Sequence, residues 1–117
     1  MYNIPGMKKI ILASASPRRK EILEKTGLKF TVDASRHEEA VCPNMNPRQY
    51  VRYQSREKAE TASRRHRNAI IITADTIIVV NNTILGKPHN GEEAEKMLRT
   101  LNGRAHTVIT GFTVMDA

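Results

Sequence analysis

The sequence predicts an α/β fold, a mixed β-sheet flanked by helices, and three observations carry that prediction. The apolar runs Ile10-Ile11-Leu12-Ala13 and Ile70-Ile71-Ile72 have the unbroken hydrophobicity of strands buried on both faces. Segments of helical spacing, introduced by Ser16-Pro17, Asn46-Pro47 and Asn90-Gly91, alternate with such runs. Asn81-Asn82, between two β-prone runs, adds an antiparallel hairpin. The chain therefore reads β-α-β-loop-α-β-β-α-β, a single domain over residues 1–117.

Met1 to Gly6 reads as a loose leader. The strand Ile10–Ala13 runs into Ser14-Ala15-Ser16-Pro17-Arg18-Arg19, which opens a helical segment that stops at Gly27. Ser16 is a good N-cap, and Pro17 at the first helical position loses nothing, because its missing N–H would be unpaired there anyway. Free backbone N–H groups, two hydroxyls and about half a positive charge from the helix dipole converge on this loop. Arg18 and Arg19 add two guanidinium forks shaped for phosphate oxygens. These features outline a polyphosphate site, although a capped helix with solvated arginines has the same sequence.

Leu28 to Val32 alternates as a half-buried second strand, and Asp33 to Met45 reads as an irregular loop. Asn46-Pro47 starts a helix reaching about His66, with a thin apolar stripe and a basic face of Arg52, Arg56, Arg64 and Arg65. That face reads as solvated surface beside the core rather than as a nucleic-acid helix. Ile70 to Asp75 is an apolar strand ending in a carboxylate, which puts Asp75 at a strand C-terminus, where open α/β sheets bind ligands. Thr76–Val80 and Thr83–Leu85 form the hairpin, and Gly86-Lys87-Pro88 is an extended exit. Glu92 to Leu101 is a third helix with Ala94, Met97, Leu98 and Leu101 on one face. Ala105 to Met115 is a last strand, broken or bulged near Gly111 and lacking a partner strand.

At 117 residues and 39% hydrophobic content the chain supports one modest core. It has no apolar run of about 18 residues that would span a membrane, and its first residues lack the apolar stretch of a signal peptide. The single cysteine, Cys42, excludes an intramolecular disulfide and fits a reducing cytoplasm. A net charge of +7 favours anionic partners. Three tyrosines, two phenylalanines and no tryptophan are a poor set of stacking platforms, which favours nucleotides over single-stranded nucleic acid.

Asp75 is the sharpest candidate for chemistry: it can hold a divalent cation or activate water for attack on phosphorus, or simply make a strand-end turn. Glu38 and Glu39 would complete a metal site or lie on the solvated surface. Lys87, held extended by Pro88, and Lys58, from the second helix, can each reach a phosphate as a point charge. Nothing orients Cys42 and His37 as a nucleophilic pair, and the four histidines lack zinc spacing.

Taken together, these motifs resemble the Maf family of nucleoside triphosphate pyrophosphatases. Leu12 to Arg19 resembles the family's opening signature, with Ile22-Leu23 and Gly27 continuing it. Glu38-Glu39 falls at the family's acidic pair, and Arg56-Glu57-Lys58-Ala59 resembles the helix carrying its lysine. Thr73-Ala74-Asp75-Thr76, Gly86-Lys87-Pro88 and Leu98 to Thr110 resemble further family motifs. The resemblance implies the inosine triphosphate pyrophosphatase-like fold and a magnesium- or manganese-dependent enzyme that cuts a nucleoside triphosphate into monophosphate and pyrophosphate. In that scheme Asp75 is the proton acceptor or a metal ligand, and Glu39 helps bind metal. Ser14, Arg18, Arg19, Lys58, Thr76 and Lys87 hold the substrate, with Arg18 and Thr76 tilting preference to dTTP and UTP. Gln54-Ser55 stands where the family has Leu-Ala, so that helix is expected to pack more loosely. Family members are longer and continue with further strands, helices and a base-selecting glutamine. The resemblance thus implies a C-terminally truncated core and a pocket open on one side, with a homodimer covering the exposed sheet edge. Two other readings stand beside this one: a catalytically weak or inactive phosphate- or nucleic-acid-binding relative, and a protein–protein regulator of cell division.

Overall fold

A computed structural model describes residues 8–34, 44–85 and 90–117 of the chain. The expectations for Glu38, Glu39, Cys42, His37 and Lys87, and for the leader, lie outside the described residues. The described elements run β1 (Lys9–Leu12), α1 (Pro17–Glu24), β2 (Thr31–Val32), α2 (Pro47–Ser63), β3 (Ala69–Val80), β4 (Thr83–Leu85), α3 (Gly91–Leu101) and β5 (Thr107–Asp116). They form an α/β arrangement with one mixed five-stranded sheet.

β3 is its centre. β1 lies parallel to the first third of β3, from Lys9 opposite Ala69 to Leu12 opposite Ile72, and β2 continues outward from β1. β4 returns antiparallel along the last residues of β3, through Asn81 and Asn82 at φ +50° and +61°. Two consecutive residues with positive φ make the tight turn whose twist matches a hairpin, as the Asn pair predicts. β5 runs antiparallel along the other edge of β3, from Ile70 opposite Asp116 to Val79 opposite Thr107.

Three expectations for these strands are overturned. Asp75 does not end a strand, because β5 pairs with β3 on both sides of it and carries the strand on to Val80. β5 is neither bulged at Gly111 nor without a partner, since its register with β3 advances one residue at a time throughout. The second strand is shorter than expected, because only Thr31 and Val32 pair with β1 along a ladder.

α2 covers one face of the β3–β5 pair. A reciprocal capping box closes its N-terminus: Asn46 accepts from the Gln49 backbone and the Gln49 side chain accepts from the Asn46 backbone. Such a cap is worth about 1 kcal/mol. The buried stripe is Val51, Gln54, Ser55, Ala59 and Ala62, mostly small residues that let the helix lie close to the sheet. Ala59 and Ala62 pack with Ile11, Ala69 and Ile71, and Val51 packs with Ile77 and Val79. The expected loosening at Gln54-Ser55 is absent, since both residues are fully buried. Ser55 is tied in: its hydroxyl meets Thr113 Oγ1 at 2.7 Å, and its carbonyl accepts from Thr73 Oγ1 at 2.5 Å.

The opposite face of β5 is open, with Val108, Phe112 and Val114 exposed. α3 is capped as predicted, Asn90 accepting from the Glu93 backbone. Its apolar face, however, is not packed away: none of its residues is buried, and Leu98 is 67% exposed.

Gly111 explains how closely α2 approaches. A Cβ there would stand 3.0 Å from both the backbone carbon and a methyl carbon of Val51. Backbone on the far side cannot yield as a flexible side chain would. Gly111→Ala is expected to push α2 off β5 and cost about 1–3 kcal/mol, read as a lower urea midpoint. An unchanged midpoint would show that the helix is free to shift.

Candidate active site

The register of β3 creates the site. Val79 pairs with both β4 and β5, and Ile70 with both β1 and β5, so β1 and β4 share the edge opposite β5. β1 pairs up to Ile72 and the pairing with β4 begins at Ile78, so among the described residues no strand pairs with residues 73–77 on that edge. The last backbone bond from the β1 side is the Ala13 amide donating to the Ile72 carbonyl. The Ala74 carbonyl is the next to point that way, since orientation alternates along a strand. Asp75 and Thr76 lie in this gap and, as neighbours, project to opposite faces of the sheet.

The loop leaving β1 delivers the first group of side chains. Ser16 caps α1 by accepting from the Arg19 amide, and Ser14 Oγ accepts from the Ser16 amide at 3.1 Å. This folds the loop into the hydroxyl-lined turn that the serines predict. Arg18 is exposed and takes no protein partner among the described residues. Arg19 reaches into the gap, where Nη1 donates to the Ala74 carbonyl at 3.1 Å and Nη2 to Thr76 Oγ1 at 2.8 Å. Thr76 Oγ1 also meets Thr110 Oγ1 of β5 at 2.9 Å.

The second group lies on the α2 face. Lys58 Nζ donates to Asp75 Oδ1 at 2.9 Å, the lysine side chain 18% and the aspartate side chain 3% exposed. Lys58 stands one helical turn beyond Ser55, so the Ser55–Thr73–Thr113 bonds and the close approach at Gly111 set its reach. Among the described residues Asp75 Oδ2 is buried with no partner, an orphaned acceptor of the sort that a cation or water can satisfy.

Of the residues that sequence reasoning named, Asp75 and Thr76 lie in this gap and Arg19 and Lys58 reach it, while Ser14 and Arg18 lie on the loop and first turn that deliver Arg19. The structure joins Lys58 to Asp75 and Arg19 to Thr76 as two separate pairs. Thr110 was missed, because its value depends on a cross-strand register that no local pattern reveals. Asp33 was also missed. Its amide donates to the Leu12 carbonyl, and Oδ2 meets Arg65 Nε at 3.0 Å and His66 Nε2 at 2.7 Å. It pins the start of the loop after β2 to the end of α2.

Removing one partner of a buried ion pair strands the other, and the stranded charge that matters here is the aspartate. Lys58→Met is expected to cost about 3–5 kcal/mol in urea unfolding. Asp75→Asn should cost less, because Lys58 is exposed enough to turn its ammonium to water. Equal losses would contradict Asp75 as the desolvated partner.

Comparison with known proteins fits this geometry. The family of "Maf-like protein" matches residues 9–117. A dTTP/UTP pyrophosphatase of Methanosarcina barkeri is 49% identical over 111 residues, covering 94% of this chain and 56% of that protein. A dTTP/UTP pyrophosphatase of Caldicellulosiruptor saccharolyticus is 42% identical over 114 residues, covering 94% of this chain and 57% of that protein. One of Bacillus mycoides is 42% identical over 110 residues, covering 94% and 58%. The chain spans a little over half the length of these curated relatives. Identity sustained at this level across β1, the gap in the sheet and β5 leaves one assignment: the chain belongs to the Maf family.

Proposed function

We propose that the chain carries the hydrolytic site of a nucleoside triphosphate pyrophosphatase, acting on dTTP and UTP. The observation that carries this reading is Asp75: a buried carboxylate with one oxygen held by Lys58 and the other unpartnered, at the gap where Arg19 also lands. The names of the relatives support the substrate. The loop Ser14 to Arg19, with Arg18 free, supplies the hydroxyls, amides and guanidinium that a polyphosphate needs. Water attacks the α-phosphorus and gives its proton to Asp75. The bond from that phosphorus to the bridging oxygen breaks, and pyrophosphate leaves with the bonding electron pair. Lys58, donating to Asp75 Oδ1 at 2.9 Å, fixes the orientation of the carboxylate for that transfer.

A divalent cation, magnesium or manganese, fits the same carboxylate. Among the described residues no group of three or more His, Cys, Asp and Glu gathers to hold one. Magnesium and manganese are held by one or two carboxylates together with phosphate oxygens and water. Asp75 Oδ2 would be either a ligand to that cation or the acceptor of the water proton, with Glu39 the further ligand that the family resemblance implies. When bound, such an ion neutralises phosphate charge as the leaving group departs. Among the described residues no helix is long and apolar enough to cross a membrane. We place the protein in the cytoplasm on its lone cysteine.

One observation favours a second reading, a phosphate-binding relative without turnover: Asp75 is only 2% exposed and already engaged by Lys58. A product assay with dTTP and UTP, in magnesium or manganese, separates the two. Monophosphate and pyrophosphate are expected, with Asp75→Asn lowering the rate at least about a hundredfold. No turnover from folded protein in either metal would leave the binding reading. The homodimer is also proposed, supported by the exposed Val108, Phe112 and Val114. Sedimentation should give twice the chain mass, and a folded monomer at all concentrations would sink it.

A further inference from the structure

Arg19 is held in place before any ligand arrives, and what holds it is the pair Thr76 and Thr110. Its Nη1 fills the backbone bond that β1 leaves unmade at Ala74, and its Nη2 is fixed by Thr76 Oγ1. A hydroxyl has one hydrogen to give. Thr76 Oγ1 accepts from Arg19, so its own hydrogen is free for Thr110 Oγ1 at 2.9 Å, and that bond selects the rotamer that presents its lone pair to Arg19. Thr76 and Thr110 are directly opposite in the β3–β5 register, so the backbone ladder keeps them facing. The Nε–H and the second N–H on each Nη of Arg19 take no protein partner among the described residues.

We propose that Thr110 is a positioning residue for the polyphosphate loop. Through Thr76 it locks the Arg19 guanidinium across the gap in the sheet, so that the unused N–H groups stand ready beside the loop as a preformed fork for phosphate oxygens. This rests on the reading of Ser14 to Arg19 as a phosphate loop. An arginine already immobilised loses less rotamer freedom on binding an anion than a free one, so the lock raises affinity without touching the ligand. Thr110 is exposed and remote from the buried core, so its substitution leaves the fold intact.

Two measurements on the full chain test this. The first is the ¹⁵N heteronuclear NOE of the Arg19 Nε–H, assigned by its loss in Arg19→Lys. It is expected to be rigid in the unaltered protein and in Thr110→Ser, and mobile in Thr110→Val and Thr76→Val. A rigid Arg19 in Thr110→Val overturns the proposal. The second is calorimetric titration with inorganic pyrophosphate. Thr110→Val should bind about tenfold more weakly, with Thr110→Ser restoring affinity. Equal affinity for Thr110→Val and the unaltered protein overturns the proposal while leaving the phosphate loop standing. If the unaltered protein binds no pyrophosphate although Arg19 is rigid, the phosphate reading itself falls, and the positioning role with it. Arg18→Ala marks that distinction, because it weakens pyrophosphate binding without mobilising Arg19.

Discussion

The structure depends on a mismatch of strand lengths along β3. One edge is paired with β5 for nearly its whole length, while the other has β1 at one end, β4 at the other and, among the described residues, no strand between. A buried or half-buried carbonyl without a donor costs about 1–3 kcal/mol, so a gap of this kind has to be filled. Arg19 fills it at Ala74. A lysine could not, because only a planar fork reaches a backbone carbonyl and a neighbouring hydroxyl together. The gap therefore dictates an arginine at the start of α1, and it brings the loop after β1 against the middle of β3.

The other face obeys a second constraint, the close approach of α2. Alanines at 59 and 62, serine at 55 and glycine at 111 keep the contact surfaces small, so the helix backbone lies near the sheet. Close packing shields Asp75 from water and leaves Lys58, 2.9 Å away, as the cation beside it. Polar side chains in this interface are matched to one another: Thr73 to the Ser55 carbonyl, the Ser55 hydroxyl to Thr113. Serine in place of alanine at position 55 does not loosen such an interface, because the facing strands supply Thr73 and Thr113 as partners.

Much of this was legible in the sequence, for reasons that differ by element. Caps are local chemistry, so Ser16, Asn46 and Asn90 marked their helices correctly, and Asn81-Asn82 its hairpin. The loop from Ser14 to Arg19 and the strand-borne Asp75 were recognisable from residue type and order. Cross-strand relations were not. Asp75 looked terminal because polar residues interrupt the apolar run there, whereas the strand continues on hydrogen bonds to β5 that carry no sequence signature. Gly111 looked like a bulge because glycine weakens strands, whereas it is needed for space beneath Val51. α3 shows the reverse error: an amphipathic pattern predicts a face suited to packing, and none of the described elements covers it.

Asp75 and Thr76 bring these constraints together. Adjacent on one strand, they face opposite sides of the sheet, one toward Lys58 of α2 and the other toward the arginine of α1. In a fully paired sheet those two environments would be sealed from each other by the neighbouring strand. Here, among the described residues, no strand pairs with the edge of β3 opposite β5 over residues 73–77, at the level where both side chains project. A ligand entering at that edge can meet the hydroxyls and guanidinium of one face and the carboxylate of the other without disturbing the β3–β5 ladder. The guanidinium and the carboxylate are thus separated by the thickness of one strand, which keeps Arg19 from pairing directly with Asp75. Among the described residues, a carboxylate partnered by Lys58 leaves one oxygen unbonded, and an arginine partnered by two neutral oxygens leaves its other N–H groups unused.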